Sequence, residues 1–247
     1  MQGRIIWHDL VSKGPGADMA FFSRLMGWSY TIEHAENFVW KPGPGDYPLI
    51  VAKGEAHGGV LSAGRDEPAH WRAYVEVRDV DLCADKARRL GATICKPPFD
   101  VPGVGRSVLL SDPQAALICP FTTTHDYPPP RDQFVFDQLV SSNAAASRSF
   151  YRNLFGWKLI GSGIPGPEAN RQGWDPVEIV NAPHGQAGWR AQWIPYLAAP
   201  DLPKTIAEAT ELGARRIDPP TSVAQAAPRA LLISPAGAPF GLVGTGG

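Results

Sequence analysis

The residue types that most often carry chemistry are sparse in this chain of 247 residues, which contains 6 histidines and 3 cysteines. The cysteines, Cys83, Cys95 and Cys119, are odd in number and lack the paired spacing of a zinc ribbon or a disulfide framework. We therefore expect reduced thiols, most of them buried. Cys119 could in principle bind a soft metal, but an isolated buried cysteine usually behaves as a small hydrophobic residue.

Two histidines are candidate metal ligands. His8 lies in an alternating run near the start of the chain, which predicts a strand with Trp7 and Asp9 on one face and His8 on the other, towards the helices. We interpret His8 as structural or exposed, because a ligand there would require a one-residue bulge. His57 lies in a turn-like sequence and is interpreted as a solvated turn residue.

Two familiar catalytic or cofactor motifs are excluded. The run from Gly161 to Gly166 matches the glycine pattern of dinucleotide-binding loops, but it opens no helix and is followed by Pro167, so we predict a turn. No serine, histidine and acid set has the spacing or elbow motif of a hydrolase.

The chain contains an internal repeat, so any functional site is built on one or both of its two copies. The run 21–28 returns at 150–157, a shift of 129 residues, and residues matched between 74 and 116 return between 196 and 238, a shift of 122. A run of three prolines at 128–130 favours a stiff, extended connector. We predict one domain at 1–121, a Pro-rich linker at 122–132 and a second domain at 133–247.

Each copy shows the same order of elements twice. In the first copy, a strand and a helix ending at Gly27 precede extended runs at 37–41, 47–53 and 58–62. A second strand follows at 71–77, then a helix with Asp79 as its N-cap that ends at Gly91, then three more strands. The class is α+β, and the predicted unit of strand, helix and three strands occurs four times.

Composition restricts the partners and the compartment. The chain is 44% hydrophobic and 19% charged, with a formal net charge of -1, so it offers no electrostatic surface for nucleic acid or an anionic membrane. Its first residues reach a charge too early for a signal peptide, and no window approaches the roughly 18 apolar residues of a membrane span. We expect a soluble, cytoplasmic protein.

These elements resemble the vicinal-oxygen-chelate superfamily, which includes glyoxalase I, bleomycin-resistance proteins, fosfomycin-modifying enzymes and extradiol dioxygenases. The resemblance covers nearly the whole chain, and it implies pairs of βαβββ modules whose curved sheets form an open barrel around a cavity. Two such domains in one chain resemble a dimer fused into a monomer. The residues that carry it are Phe21-Phe22, Leu25-Met26-Gly27-Trp28, Tyr74 to Asp81, Leu90-Gly91-Ala92, Pro102 to Arg106 and Asp112 to Ala116.

Metal-dependent members of that superfamily carry His, Gln or Glu at the inward position of each first strand and Glu on each last strand. Neither copy keeps this set, so the resemblance implies a protein without a metal cofactor. The alternative is a divalent metal ion held by an atypical set, such as His57 with Asp9 or Cys119. Counted from the motifs, the family's ligand positions hold Trp7, Arg72 and Cys119 in the first copy, and Phe136, Ile194 and Gly241 in the second.

The same strand phase predicts which residues line the two cavities. The first cavity is mixed and charged, so Asp9 and Arg72 are expected to face each other or a polar ligand. The second is more apolar, and a packed core without ligand is an equal alternative. Trp40 and Trp174 are candidates for the rims. The predicted lining is Trp7, Asp9, Arg72, Tyr74 and Cys119 in the first copy, and Phe136, Gln138, Ile194, Tyr196 and Gly241 in the second.

The sequence is compatible with three classes of function. The leading expectation is a protein that binds a small organic molecule in its barrel without metal, as drug-sequestering members of the superfamily do. The alternative is a divalent-metal-dependent lyase, isomerase or dioxygenase, with ring cleavage the weakest choice because the second copy lacks the His, His, Glu set. The third is a structural or regulatory module. Whether a reaction is catalysed is left open by the sequence.

Overall fold

The computed structural model describes residues 3–125, 133–157, 177–182, 190–217 and 228–245. These residues form an α+β fold with two curved sheets, of eight and six strands, and four helices. The first copy comprises β1 (Ile5–Ser12), α1 (Pro15–Met26), β2 (Ser29–Ala35), β3 (Gly45–Ala52), β4 (Glu55–Ser62), β5 (His70–Glu76), α2 (Val80–Arg89), β6 (Thr93–Val101), β7 (Gly105–Ser111) and β8 (Leu117–Thr123). The second comprises β9 (Phe134–Ser141), α3 (Ala144–Phe155), β10 (Val177–Asn181), β11 (Gln192–Ala199), α4 (Leu202–Glu211), β12 (Arg215–Ile217), β13 (Arg229–Ile233) and β14 (Pro239–Gly244).

The first sheet consists of two similar halves, in the order β2-β3-β4-β1-β5-β8-β7-β6. In each half the first strand runs parallel to the last one, β1 with β4 and β5 with β8. The halves meet where β1 pairs antiparallel with β5. This is the predicted arrangement of two modules, each of one strand, one helix and three strands, around a concave face that we call the first barrel.

The second sheet, in the order β10-β9-β11-β14-β13-β12, repeats that pattern. Strand β9 is parallel to β10 and antiparallel to β11, and β11 is parallel to β14. We call its concave face the second barrel. The remaining strands that the sequence predicts for this copy fall between β9 and β11, partly in 158–176, outside the described residues.

Helices α1 and α3 end at glycines, and α2 and α4 begin at capping aspartates, as the sequence predicts for the first copy. Gly27 and Gly156 end α1 and α3 in the left-handed conformation (φ 69° and 76°). This conformation is less favourable for a residue with a side chain than for glycine. The carboxylates of Asp79 and Asp201 cap α2 and α4 by accepting a hydrogen bond from the backbone N–H three residues later (2.9 and 3.0 Å).

The apolar core lies on the outer faces of the sheets and is shared by the two copies. One cluster joins α2 and β5 to α3 and β11, and a second joins α1 and β1 to β11, α4 and β14. The indole of Trp28, just after α1, donates a hydrogen bond to the side chain of Gln133 (3.0 Å), and the equivalent Trp157 donates to the backbone oxygen of Gly3 (2.5 Å). Each copy therefore holds the start of the other copy's first strand.

His8 belongs to this interface. Its side chain points away from the first barrel and its Nε2 lies 2.8 Å from an oxygen of Asp137, with both side chains buried. The imidazole also stacks on Phe134 at 4.0 Å between ring centroids. The predicted structural role of His8 is confirmed, and its partner is the residue at the equivalent position of the second copy.

Two predictions on local structure are wrong, and the one on the cysteines is confirmed, since most of them are buried. The extended run at 37–41 is not a strand; β2 is Ser29–Ala35, an exposed edge strand that lacks the apolar alternation of a buried one. His57 is not a solvated turn residue, because it lies in β4 with only 2% of its surface exposed. Cys83 and Cys119 are buried as expected, but Cys95 is exposed.

The domain boundaries and the linker stay predictions: β8 continues to Thr123, and 126–132 lie outside the described residues, as do the glycine run at 161–166 and Trp174. Among the described residues, no helix is both long and apolar enough to span a lipid bilayer.

Candidate functional site

A fully buried carboxylate, that of Asp9, lies at the centre of the first barrel. One of its oxygens accepts hydrogen bonds from the indole of Trp7 (3.1 Å) and the hydroxyl of Tyr47 (2.5 Å), and the other accepts one from the hydroxyl of Tyr74 (2.6 Å). Trp7 also donates to the oxygen of Tyr47 (2.9 Å). The site is therefore one acid inside a set of three aromatic donors, which together satisfy a charge that would otherwise be costly to bury.

The backbone explains how these side chains meet. Trp7 and Asp9 share one face of β1, and Tyr74 is the partner of Trp7 across the β1–β5 pair. Tyr47 comes from β3 and must cross β4 to reach Asp9. It passes over Gly59, where a Cβ atom would lie 2.1 Å from the tyrosine ring. Glycine at this position is therefore a condition for the contact between Tyr47 and Asp9.

The electrostatics of Asp9 are dominated by its burial. Desolvation raises the pKa of its carboxyl above the usual 3.8, while the hydrogen bonds from Tyr47 and Tyr74 and the charge of Arg72 oppose that rise. Burial and the neighbouring Asp9 raise the pKa values of Tyr47 and Tyr74 well above 10, so both hydroxyls stay protonated and remain donors at neutral pH.

Arg72 does not form the ion pair with Asp9 that the sequence suggested. The two residues are partners in the β1–β5 register, but the guanidinium of Arg72 pairs with Glu67 (2.8 Å) and lies 4.5 Å from the ring of Trp40. Asp9 already accepts hydrogen bonds from three neutral donors, so it does not need Arg72 as a partner. The partly exposed carboxylate of Glu67 pairs with Arg72 instead. Arg72 therefore acts on Asp9 only at longer range.

The remaining wall of the first barrel is apolar. Tyr74, Leu109, Cys119 and Phe121 form a buried cluster, against which Trp7 and Trp40 pack. Burial raises the pKa of the Cys119 thiol to about 12, so it is a neutral thiol rather than a thiolate nucleophile at neutral pH.

The second barrel holds a different polar network. The amide of Gln138 donates to Glu178 (2.6 Å), and the hydroxyl of Tyr196 donates to the amide oxygen of Gln138 (3.1 Å). Arg229 pairs with Glu178 (2.8 Å), with both side chains buried. The tyrosine hydroxyl of each barrel thus binds the residue at the same position of the first strand, Asp9 in one copy and Gln138 in the other.

The predicted lining of the second cavity missed the ion pair of Glu178 with Arg229. Glu178 is a single acid within the apolar strand β10, and that alternation was the available signal. Phe136, Tyr196 and Ile194 are packed together as core residues, and a Cβ atom on Gly241 would lie 2.2 Å from the ring of Tyr196. The ten residues predicted as lining lie five in each copy, and Tyr47 must be added to those of the first.

Known proteins share this architecture. Residues 133–243 match the model of the glyoxalase-like domain family. Among solved structures, a Mn(II)-bound glyoxalase from Novosphingobium aromaticivorans superposes with a TM-score of 0.62 at 14% identity, covering 98% of this chain and 82% of that one. The 2,3-dioxygenase LapB from Pseudomonas sp. KL28 gives 0.64 at 12% identity, covering 100% and 94%. The family match lies in the second copy, and the whole chain shares its fold with a glyoxalase and a dioxygenase.

Curated proteins also resemble the chain in sequence. The putative glyoxylase CFP32 of Mycobacterium bovis is 31% identical over 120 residues, which cover 47% of this chain and only 42% of that protein. The anthracycline biosynthesis protein DnrV of Streptomyces peucetius is 25% identical over 262 residues, which cover 98% of this chain and 93% of that protein. The second match therefore spans both copies.

The side chains of the two barrels do not suit a divalent ion such as the Mn(II) of the solved glyoxalase structure. In the first barrel, the atoms that surround the Asp9 carboxylate are hydrogen-bond donors rather than metal ligands. In the second, Glu178 is already paired with the cation of Arg229. Within the described ranges, no group of three or more His, Cys, Asp or Glu side chains is arranged to hold a metal. The sets considered from sequence, His57 with Asp9 or Cys119, are not assembled, because His57 packs near Phe134 at the interface.

The raised pKa of Asp9 predicts an unusual dependence of stability on pH. Because the folded state binds the Asp9 proton more tightly than the unfolded state does, this group lowers stability as the pH rises from about 4 through its folded-state pKa. The free energy of unfolding of Asp9→Asn, relative to the parent protein, should therefore increase between pH 4 and pH 7. Urea denaturation at both values measures it.

Asp81 provides a control of opposite sign. Its exposed carboxylate accepts two hydrogen bonds from Arg106, which lower its pKa, so it contributes stability above the unfolded value that is lost as the pH falls. Asp81→Asn should lose stability relative to the parent as the pH rises from about 3 to about 5, the range in which the unfolded state releases this proton. A change of the same sign for both variants would contradict the assignment for Asp9.

Proposed function

We propose that the chain binds a small, planar organic molecule against the aromatic side chains of its first barrel, and that it does so without a metal ion. The observation that carries the proposal is the cage of Trp7, Tyr47 and Tyr74 around the Asp9 carboxylate. Trp7 and Tyr47 are only partly buried, so part of each side chain is accessible while its polar end is held by hydrogen bonds. Fixed rings with a single polar centre are typical of sites for flat ligands.

The first barrel is favoured over the second for a structural reason. In the second barrel, Gln138, Tyr196 and Ile194 are completely buried, and Glu178 and Arg229 satisfy each other. A ligand there would have to break a buried ion pair, which is strongly unfavourable. In the first barrel, the partly exposed rings can receive a ligand without breaking the hydrogen bonds of Asp9.

The names of the sequence relatives also support a flat aromatic ligand. The match that spans both copies is to proteins named for anthracycline biosynthesis, and anthracyclines are flat, polycyclic aromatic compounds. We infer that the ligand is of this general kind: rigid, aromatic and bearing hydroxyl or carbonyl groups. The glyoxalase and dioxygenase structures share the fold with this chain, but at 12–14% identity they support no particular reaction.

Isothermal titration with 1,8-dihydroxyanthraquinone tests the proposal. Trp7→Leu removes one aromatic wall of the first barrel and should weaken binding about 10-fold, the loss expected for one ring contact. Phe136→Leu, at the equivalent position of the second barrel, should leave the affinity unchanged; circular dichroism confirms that both variants are folded. Dialysis against EDTA and addition of MnCl₂ should change nothing. Binding that requires the metal, or that responds only to Phe136→Leu, would overturn the proposal.

A further inference from the structure

The indole of Trp40 is enclosed by two cations and an aromatic edge. The guanidinium of Arg72 lies 4.5 Å from its ring centroid and the ammonium of Lys96 lies 5.8 Å from it. The ring of Phe99 meets it edge-on, with centroids 5.2 Å apart. Cations over a ring face are attracted by the electron-rich π system, so these three side chains form a place suited to an electron-rich planar ring.

Trp40 lies on the connection between two neighbouring strands of the first sheet. Residues 36–44 connect β2 to β3 outside both strands and contain Pro42, Gly43 and Pro44. Two backbone hydrogen bonds lie within the segment, from the N–H of Phe38 to the oxygen of Gly43 (2.9 Å) and from the N–H of Lys41 to the oxygen of Phe38 (3.4 Å). The side chain of Lys96 also donates to the backbone oxygen of Val39 (2.6 Å). Trp40 is itself partly exposed, so its displacement requires no unfolding of the sheet.

The ring of Trp40 also covers the interior of the first barrel. It packs against the buried cluster that contains Tyr74 and Cys119, which lie beside Asp9. The positive charge near it is balanced in part by Glu67, which pairs with Arg72, and by Asp9 below. The place is therefore close to neutral overall, and it selects for the electron density of a ring rather than for a negative charge.

We propose that the place now held by Trp40 is the ring-binding slot of the first barrel, and that an electron-rich planar aromatic ring of the ligand takes it when Trp40 is displaced. This inference rests on the proposed function and adds the chemical class of the ring. Trp40 then competes with the ligand, so its removal raises the apparent affinity by a factor equal to the inverse of the fraction of molecules in which the slot is open.

Indole and 4,5,6,7-tetrafluoroindole are the probes, because fluorination withdraws electron density from a ring of almost the same shape. In Trp40→Ala, isothermal titration should show indole binding at least 10-fold more tightly than in the parent protein. Tetrafluoroindole should bind Trp40→Ala about 5- to 30-fold more weakly than indole, the range expected for one or two cation–π contacts. Adding Lys96→Met to Trp40→Ala should reduce that preference.

Lys41→Met is the matched control. Lys41 belongs to the same segment but lies over the ring of Phe38, so its loss should leave the preference for indole unchanged. Equal affinities of indole for the parent and Trp40→Ala, or equal affinities of the two probes for Trp40→Ala, would overturn the inference. If 1,8-dihydroxyanthraquinone still binds in that case, the proposed function stands and only the slot is wrong; if no aromatic probe binds either protein, both fail.

Discussion

Asp137→Ala should destabilise the protein by about 2–3 kcal/mol, the loss expected when a buried hydrogen bond to a carboxylate is removed and its partner is left unsatisfied. Asp137 lies 2.8 Å from His8, and only 6% of each side chain is exposed. Alanine would leave the imidazole without that partner at the interface between the copies, where water cannot replace it. Urea denaturation followed by circular dichroism measures the loss.

The chain offers a matched control for this pair. His34 and Asp46 form a contact of almost the same length, 2.7 Å, but 78% and 67% of their side chains are exposed. Because water and salt weaken such a pair, Asp46→Ala should cost less than about 1 kcal/mol. Similar losses for the two alanine variants would mean that burial of His8 and Asp137 contributes nothing to holding the copies together.

The interface illustrates what sequence reasoning could and could not provide. The shift of 129 residues made His8 and Asp137 equivalent positions, and the alternation of β1 placed His8 outside the barrel. That the two equivalent residues would touch each other could not be read from one strand, because the contact depends on how the copies are packed. The same holds for Trp28 and Trp157, whose repeat was visible but whose exchanged hydrogen bonds to the other copy were not.

In the candidate site, too, some residues could be predicted from the sequence and others could not. Strand phase and the repeat brought Trp7, Asp9 and Tyr74 to one face, because these depend on local alternation and on a single strand pair. Tyr47 was missed because it reaches Asp9 from two strands away, across a glycine. Glu178 was missed because its pairing with Gln138 arises from a parallel contact between β9 and β10. Contacts between distant strands are set by register, which one sequence does not define.

Gly59→Ala should remove the contact between Tyr47 and Asp9 and destabilise the protein by about 2–4 kcal/mol. An added Cβ atom would lie 2.1 Å from the ring of Tyr47, so the ring must move, and its hydrogen bonds to Asp9 and Trp7 are lost together. The expected cost combines the strain of an overfilled core with a buried carboxylate that has lost a donor. Binding of 1,8-dihydroxyanthraquinone should weaken in parallel, because Tyr47 and Trp7 no longer hold their positions.

A double-mutant cycle separates this cause from a general intolerance of β4 to alanine. Tyr47→Ala removes the ring that the new methyl group would meet, so Gly59→Ala should cost much less in that background than in the parent protein. Gly16→Ala, in α1 with no neighbouring atom within 4 Å of the added carbon, should be neutral or slightly stabilising, since alanine favours a helix more than glycine does. If Gly59→Ala is equally costly with and without the Tyr47 ring, the strand itself excludes the methyl group and Gly59 does not serve the contact with Asp9.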